Sequence, residues 1–141
     1  MSKTYGMHLT MRLAQIERRY ALDGANAVSS LLSAIVDRIG MRVLAGPLVG
    51  EENGDPIHRG YSGVIILYES HTAIHTYPDL GEAFIDIFSC KPYDVGTVRQ
   101  VLGEYLGDYE VVEQSLFDRG IHWGANVEHE MMSWVATRSP G

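Results

Sequence analysis

Residues 61–90 read YSGVIILYESHTAIHTYPDLGEAFIDIFSC. Three β-rich runs follow one another here with only short breaks between them. YSGVIILYE (61–69) is apolar on both faces, as a central strand is. HTAIHTY (71–77) is a shorter strand, PDLG (78–81) a turn, and EAFIDIFSC (82–90) another strand. Side chains alternate along a strand. Ala83, Ile85, Ile87 and Ser89 therefore share one face, and Glu82, Phe84, Asp86, Phe88 and Cys90 the other. The first face packs on helices. The second mixes acids, aromatics and a cysteine, which suits a second layer or a second subunit around a polar site. By the same alternation His71, Ala73, His75 and Tyr77 form one wall.

Upstream, YGMHLTMRL (5–13) mixes apolar and polar residues over the length of a strand. In GANAVSSLLSAIVDRIG (24–40), Ala27, Leu31, Ala34, Ile35 and Ile39 recur at helical spacing. Asn26 is placed to cap the start, and Gly40 ends the pattern. MRVLAGPLV (41–49) reads as a strand interrupted by Gly46-Pro47, and GEENGDPIHRG (50–60) as a loop. Downstream, VGTVRQVLGEYL (95–106) predicts a second helix with Val98, Val101, Leu102 and Tyr105 as its apolar stripe. DYEVVEQSLF (108–117) predicts a last strand, and segment 119–141 has no clear period. The order β-α-β-β-β-β-α-β describes a layered α+β domain.

The 141 residues suit one domain. The balance of 45% hydrophobic and 21% charged residues is that of an ordinary globular protein. A net charge of -7 argues against a nucleic-acid surface and is compatible with a cationic small-molecule substrate. One cysteine excludes an internal disulfide. The opening MSKTYGMHLTMRLAQ lacks the apolar core of a signal peptide, and no apolar run approaches the ~20 residues of a membrane span. The expectation is a cytoplasmic domain with no membrane partner.

Glu69-Ser70 closes an apolar strand. If the turn strains that peptide, Ser70 Oγ can attack the Glu69 carbonyl and convert the amide to an ester. Removal of the Ser70 α-proton then cuts the chain by β-elimination, and the new N-terminus hydrolyses to a pyruvoyl group. Such chemistry needs a hydroxyl, a strained peptide and an acid/base, for which histidine is the usual choice. From the residues alone other readings stay open. A Ser-His neighbour pair is common. Cys90 with His71 or His75 could contribute to a zinc site, but no supporting ligand spacing is present. A Ser-His-Asp hydrolase lacks the Gly-x-Ser-x-Gly elbow around Ser70. A lone cysteine is more often a small buried hydrophobe than a catalyst.

The stretch 62–90 closely resembles the self-processing segment of the small prokaryotic S-adenosylmethionine decarboxylases. These are pyruvoyl enzymes made as proenzymes that cut themselves at Glu-Ser. The family pattern runs Ser-Gly, an apolar strand, Glu-Ser-His, then Ile-His-Thr-Trp-Pro-Glu, then Asp, an apolar residue and Phe-Thr-Cys. GMHLTM is similar to the family's Gly-x-His-Leu opening. The resemblance covers roughly residues 5–115. It implies a two-layer α/β sandwich, an antiparallel sheet with two helices on one face, and a homodimer in which two sheets meet. It implies a single domain over 1–141, divided by self-cleavage into a β chain of 1–69 and an α chain of 70–141.

Roles follow from the resemblance residue by residue. Ser70 becomes the covalent pyruvoyl cofactor that forms a Schiff base with the substrate amine. Glu69 is left as the new C-terminus. His75 is the acid/base of processing, and Ser62 assists the same step. Cys90 is the proton donor in decarboxylation. Tyr77 and Asp79 match a Trp and a Glu near the substrate's adenosine, and His71, beside Ser70, joins them as a substrate-side residue. No metal is implied. The implied activity is decarboxylation of S-adenosylmethionine, which supplies spermidine synthesis.

This chain departs from the family at three places. GDPIHRGYSG (54–63) has no Phe to stack on adenine, only His58 and Tyr61. Tyr77 and Asp79 replace Trp and Glu. GIHWGANVEHEMMSWVATRSPG (120–141) lies outside the resemblance, and its Trp123 and Trp134 suit either core packing or a lid. The departures touch substrate recognition and leave the processing residues intact. A pyruvoyl-dependent decarboxylase of ornithine or arginine is therefore the second reading, and an uncut, non-enzymatic regulator that binds a nucleoside or a polyamine is the third.

Overall fold

The computed structural model describes residues 6–119, together with Met132 and Ala136. The two tryptophans of the C-terminal segment, Trp123 and Trp134, lie outside the described residues. Among the described residues six strands form the sheet: β1 (Gly6–Ala14), β2 (Val43–Glu52), β3 (Gly60–Leu67), β4 (Ser70–Tyr77), β5 (Glu82–Ser89) and β6 (Glu110–Arg119). Two helices, α1 (Ala25–Arg38) and α2 (Val95–Leu106), join them, and a short 3-10 turn spans Arg19–Leu22. The sheet order is β2-β3-β4-β5-β1-β6, antiparallel throughout. The result is the expected α+β sandwich.

The alternation read in 82–90 decides which face is covered. Ala83, Ile85, Ile87 and Ser89 are buried, with Ile65, Leu67, Ile74, Leu9, Met11 and Leu13 on the same side. Val28, Leu31, Leu32, Ile35 and Val36 of α1 and Val98, Val101, Leu102 and Leu106 of α2 complete one core with them. Gly63 permits the close seat of α1: a Cβ there would come within 2.8 Å of Leu32 Cδ1. The opposite face carries Ser62, Ile66, His71, Ala73, His75, Phe84, Asp86 and Phe88, and these are half-buried or exposed.

Three local expectations are corrected. α1 begins at Ala25 with Gly24 as its cap and no side-chain cap bond. Asn26 therefore sits inside the first turn, because the backbone bends at the glycine. The strand read over 41–49 starts at Val43 and runs on to Glu52, into the stretch read as a loop, absorbing the Gly46-Pro47 interruption as register shifts between Val43 and Leu48. Asp94 caps α2 by accepting from the Gly96 amide at 2.8 Å. The last strand runs two residues further than its pattern indicated, to Arg119, because pairing with Gly6 at the start of β1 holds it.

Candidate active site

Tyr68 and Glu69 alone connect β3 to β4. Two-residue hairpin turns normally recruit Gly or Asn to accept positive φ. Neither is present, and the positive φ falls on Ser70, at 153°. A non-glycine residue held there is strained. β4 pairs with β5 in a register that sets Ser70 opposite Ser89. The Cys90 amide consequently donates to the Glu69 carbonyl oxygen at 2.9 Å. This is the carbonyl of the Glu69–Ser70 peptide, and a donor on its oxygen favours attack at its carbon. The structure brings Glu69, Ser70 and the buried Cys90 together at one end of β4 and β5.

The Glu69 side chain is only 2% exposed. Its Oε1 accepts from the Arg42 amide at 3.0 Å, and its Oε2 from Arg42 Nε at 2.8 Å. Burial pushes this carboxyl up. The amide and guanidinium of Arg42 outweigh that and hold it below the usual glutamate range.

The other expected residues stand on the open face of the sheet. Ser62 of β3 and His75 of β4 are register partners, and Ser62 Oγ lies 2.7 Å from His75 Nδ1. A groove of about 350 Å³ runs along this face, with His71, Ala73 and His75 on one wall and Thr10, Arg12, Asp86 and Glu113 among its other lining residues. At its end His8 Nε2 and His71 Nε2 both approach Asp86 Oδ1, the second at 3.4 Å. Arg119 donates to His8 Nδ1 at 3.2 Å, so that nitrogen is an acceptor and the proton sits on Nε2, aimed at Asp86. A metal bound through His8 Nε2 would need the proton on Nδ1, where Arg119 already donates. His8 and Asp86 are therefore a hydrogen-bonded pair, with His71 beside them.

Two groups of expected residues are thus far apart. Five residue steps of extended strand separate Ser70 from His75, roughly 16 Å. Tyr77 packs edge-on against Phe84, ring centroids 6.2 Å apart. Asp79 lies beyond β4, with both carboxylate oxygens held at 3.0 Å by Arg59. Arg59 also forks onto Asp23, whose carboxyl it holds below the usual range. Arg42, Arg59, Arg12 and Glu113 were not singled out from the sequence. For Arg12 a signal existed: His8, Thr10 and Arg12 alternate with apolar residues along β1. Arg42 and Arg59 are joined to Glu69 and Asp79 only through the tertiary fold.

Comparison with known proteins agrees with this geometry. The profile described as S-adenosylmethionine decarboxylase matches residues 7–120. An S-adenosylmethionine decarboxylase proenzyme of Symbiobacterium thermophilum is 36% identical over 87 residues, which are 62% of this chain and 61% of that protein. One from Pseudomonas paraeruginosa is 43% identical over 63 residues, 44% of this chain and 39% of that protein. One from Methanococcus aeolicus is 34% identical over 88 residues, 62% of this chain and 70% of that protein. The match thus spans less than two thirds of the first two relatives. The crystal structure of the adenosylmethionine decarboxylase from Aquifex aeolicus shares the fold, with a TM-score of 0.70 at 24% identity over 86% of this chain and 96% of that one. With the profile covering most of the chain, it belongs to the S-adenosylmethionine decarboxylase family.

Proposed function

We propose that this chain is a proenzyme that cuts itself at Glu69–Ser70 and then decarboxylates S-adenosylmethionine. One observation carries the reading. A serine strained at positive φ follows a carbonyl whose oxygen is held by a neighbouring amide. Ser70 Oγ adds to the Glu69 carbonyl carbon and gives its proton to a base. The C–N bond breaks as the nitrogen is protonated, leaving an ester. Loss of the Ser70 α-proton and departure of the Glu69 carboxylate leave dehydroalanine, which takes up water and releases ammonia.

The base cannot be His75 of the same chain, since about 16 Å of β4 intervenes. The open face supplies the alternative. It exposes Ile66, Phe84 and Phe117 at 42–46% beside the groove, an apolar surface that suits a partner. In a homodimer formed through this face, the Ser62–His75 pair of one protomer serves Ser70 of the other. His71 and Asp86 line the groove beside that pair.

Formed at position 70, a pyruvoyl group supplies a carbonyl that accepts electrons as CO2 leaves. Ser70, Glu69 and Cys90 stand where such a group would be made and used. Cys90 Sγ holds the proton that replaces the lost carboxylate at Cα. Asp86 and Glu113, on the same groove as Arg12, supply carboxylates that a sulfonium substrate favours. A cysteine that must stay a thiol suits the cytoplasm, and the product would feed spermidine synthesis.

A second reading has one observation in its favour. Arg59 occupies both oxygens of Asp79, the residue expected on the ribose. An ornithine or arginine substrate would need no such contact. Release of labelled CO2 from S-adenosylmethionine, ornithine and arginine, measured in parallel, separates the two. Turnover of S-adenosylmethionine alone supports the proposal, and turnover of ornithine or arginine alone replaces it. A chain that stays uncut and binds a nucleoside or a polyamine without turnover would be the regulator instead.

A further inference from the structure

We infer that Arg42 is a positioning residue for self-cleavage, acting through the side chain of Glu69. The inference rests on the self-cleavage reading above and concerns what holds the peptide in its reactive state. The chemistry asks nothing of the Glu69 side chain, because the acyl carbon belongs to the backbone. A buried carboxylate is nonetheless costly unless it is paired. Glu69 is buried and paired with one residue, by that residue's amide at 3.0 Å and its Nε at 2.8 Å.

The same residue grips the turn a second time. The Arg42 carbonyl accepts from the Tyr68 amide at 3.0 Å, and its guanidinium lies 5.5 Å over the Tyr68 ring. Arg42 immediately precedes β2, in the short link from α1, so the grip comes from an element anchored in the core. From the other side the Cys90 amide holds the Glu69 carbonyl. Both residues of the turn are thereby fixed, and the dihedral left to absorb the hairpin's closure is φ of Ser70. Strain of this kind persists only where the surroundings over-determine it. Without the Arg42 side chain the Glu69 carboxylate keeps the Arg42 amide but loses its charged partner, the turn relaxes, and Ser70 Oγ drifts from its line of attack.

The test is the first-order rate of cutting of newly synthesised full-length chain, followed by intact mass. Wild type, Arg42→Ala, Arg42→Lys, Glu69→Ala and the Arg42→Ala/Glu69→Ala double variant are run side by side. Arg42→Ala and Glu69→Ala should each slow cutting by about 10- to 100-fold. The double variant should be no slower than Glu69→Ala, since that change already removes both bonds that Arg42 makes to the carboxylate. Arg42→Lys keeps a donor and should recover part of the rate. A merely structural role for Arg42 would lower the folded fraction and leave folded chain cutting at the wild-type rate. Wild-type speed in Arg42→Ala, or effects that multiply in the double variant, would overturn the inference. If Arg42→Ala does not fold, Glu69→Gln decides: it removes the charge and keeps the shape, and an unchanged rate sinks the idea. Should the wild type itself stay uncut, the self-cleavage reading falls and takes this inference with it. That outcome is distinct from slow variants beside a fast wild type.

Discussion

Ser62 Oγ lies 2.7 Å from His75 Nδ1, across the β3–β4 ladder, and the pair stands roughly 16 Å along β4 from Ser70. Under the proposed function this separation is bridged by sharing the site between two chains. Co-expression tests this. Ser70→Ala cannot be cut but keeps its histidine. His75→Ala keeps its serine but lacks the base. Alone, neither should be processed. Mixed, the His75→Ala chain should be cut within heterodimers, read as a fragment beginning at position 70. No cutting in the mixture, with dimers demonstrably exchanged, would contradict the shared site.

The Cys90 amide donates to the Glu69 carbonyl, and the proposed function gives the Cys90 side chain the later proton transfer. Cys90→Ser keeps the amide, so self-cleavage should continue. Turnover should fall by about 100-fold or more, the usual weight of a positioned acid. Intact mass measures the first, and labelled CO2 release the second. Normal turnover would remove Cys90 from the proton step.

Acid should loosen the scissile turn. The folded-state pKa of Glu69 lies below its ordinary value of 4.5. As pH falls the unfolded chain binds that proton first. The stability contributed by the Arg42–Glu69 pair is therefore present above about pH 4.5 and lost as pH falls through the folded value. In a Ser70→Ala background, which keeps the chain intact, urea midpoints measured from about pH 6 to about pH 3 give the comparison. Glu69→Gln should be the less stable at the top of this range, and the gap should close toward the bottom. A gap independent of pH would show that the pair's charge does not matter.

The α1–sheet contact sets stability. Leu32 is fully buried against Gly63. Leu32→Ala should cost about 2–5 kcal/mol in the same uncut background. Gly63→Leu should cost a comparable amount, since a larger side chain has no room under α1. Thermal unfolding checks both. Little loss for Gly63→Leu would mean that α1 sits less tightly on the sheet.

Much of this was legible in the order of residues, because strand alternation is a local signal. Ala83, Ile85 and Ile87 are in the core and Phe84, Asp86 and Phe88 are on the open face, as their parity demands. His71, Ala73 and His75 do line one wall of a groove. What escaped was non-local. Nothing near Glu69 announces Arg42, and nothing near Asp79 announces Arg59, because those pairs exist only once β2 and the β2–β3 loop have folded back. The distance between Ser70 and His75 was hidden for another reason. The two are near in sequence, yet an extended chain carries them apart as fast as any conformation can.

The central claim is that the Glu69–Ser70 bond is broken by the protein itself, and intact mass under denaturing conditions tests it most directly. The account predicts two fragments from the purified wild type, 1–69 and 70–141, the second headed by a pyruvoyl group. It predicts one full-length chain from Ser70→Ala, without decarboxylase activity. A wild-type chain of undivided mass, or a Ser70→Ala variant that still decarboxylates, would contradict it.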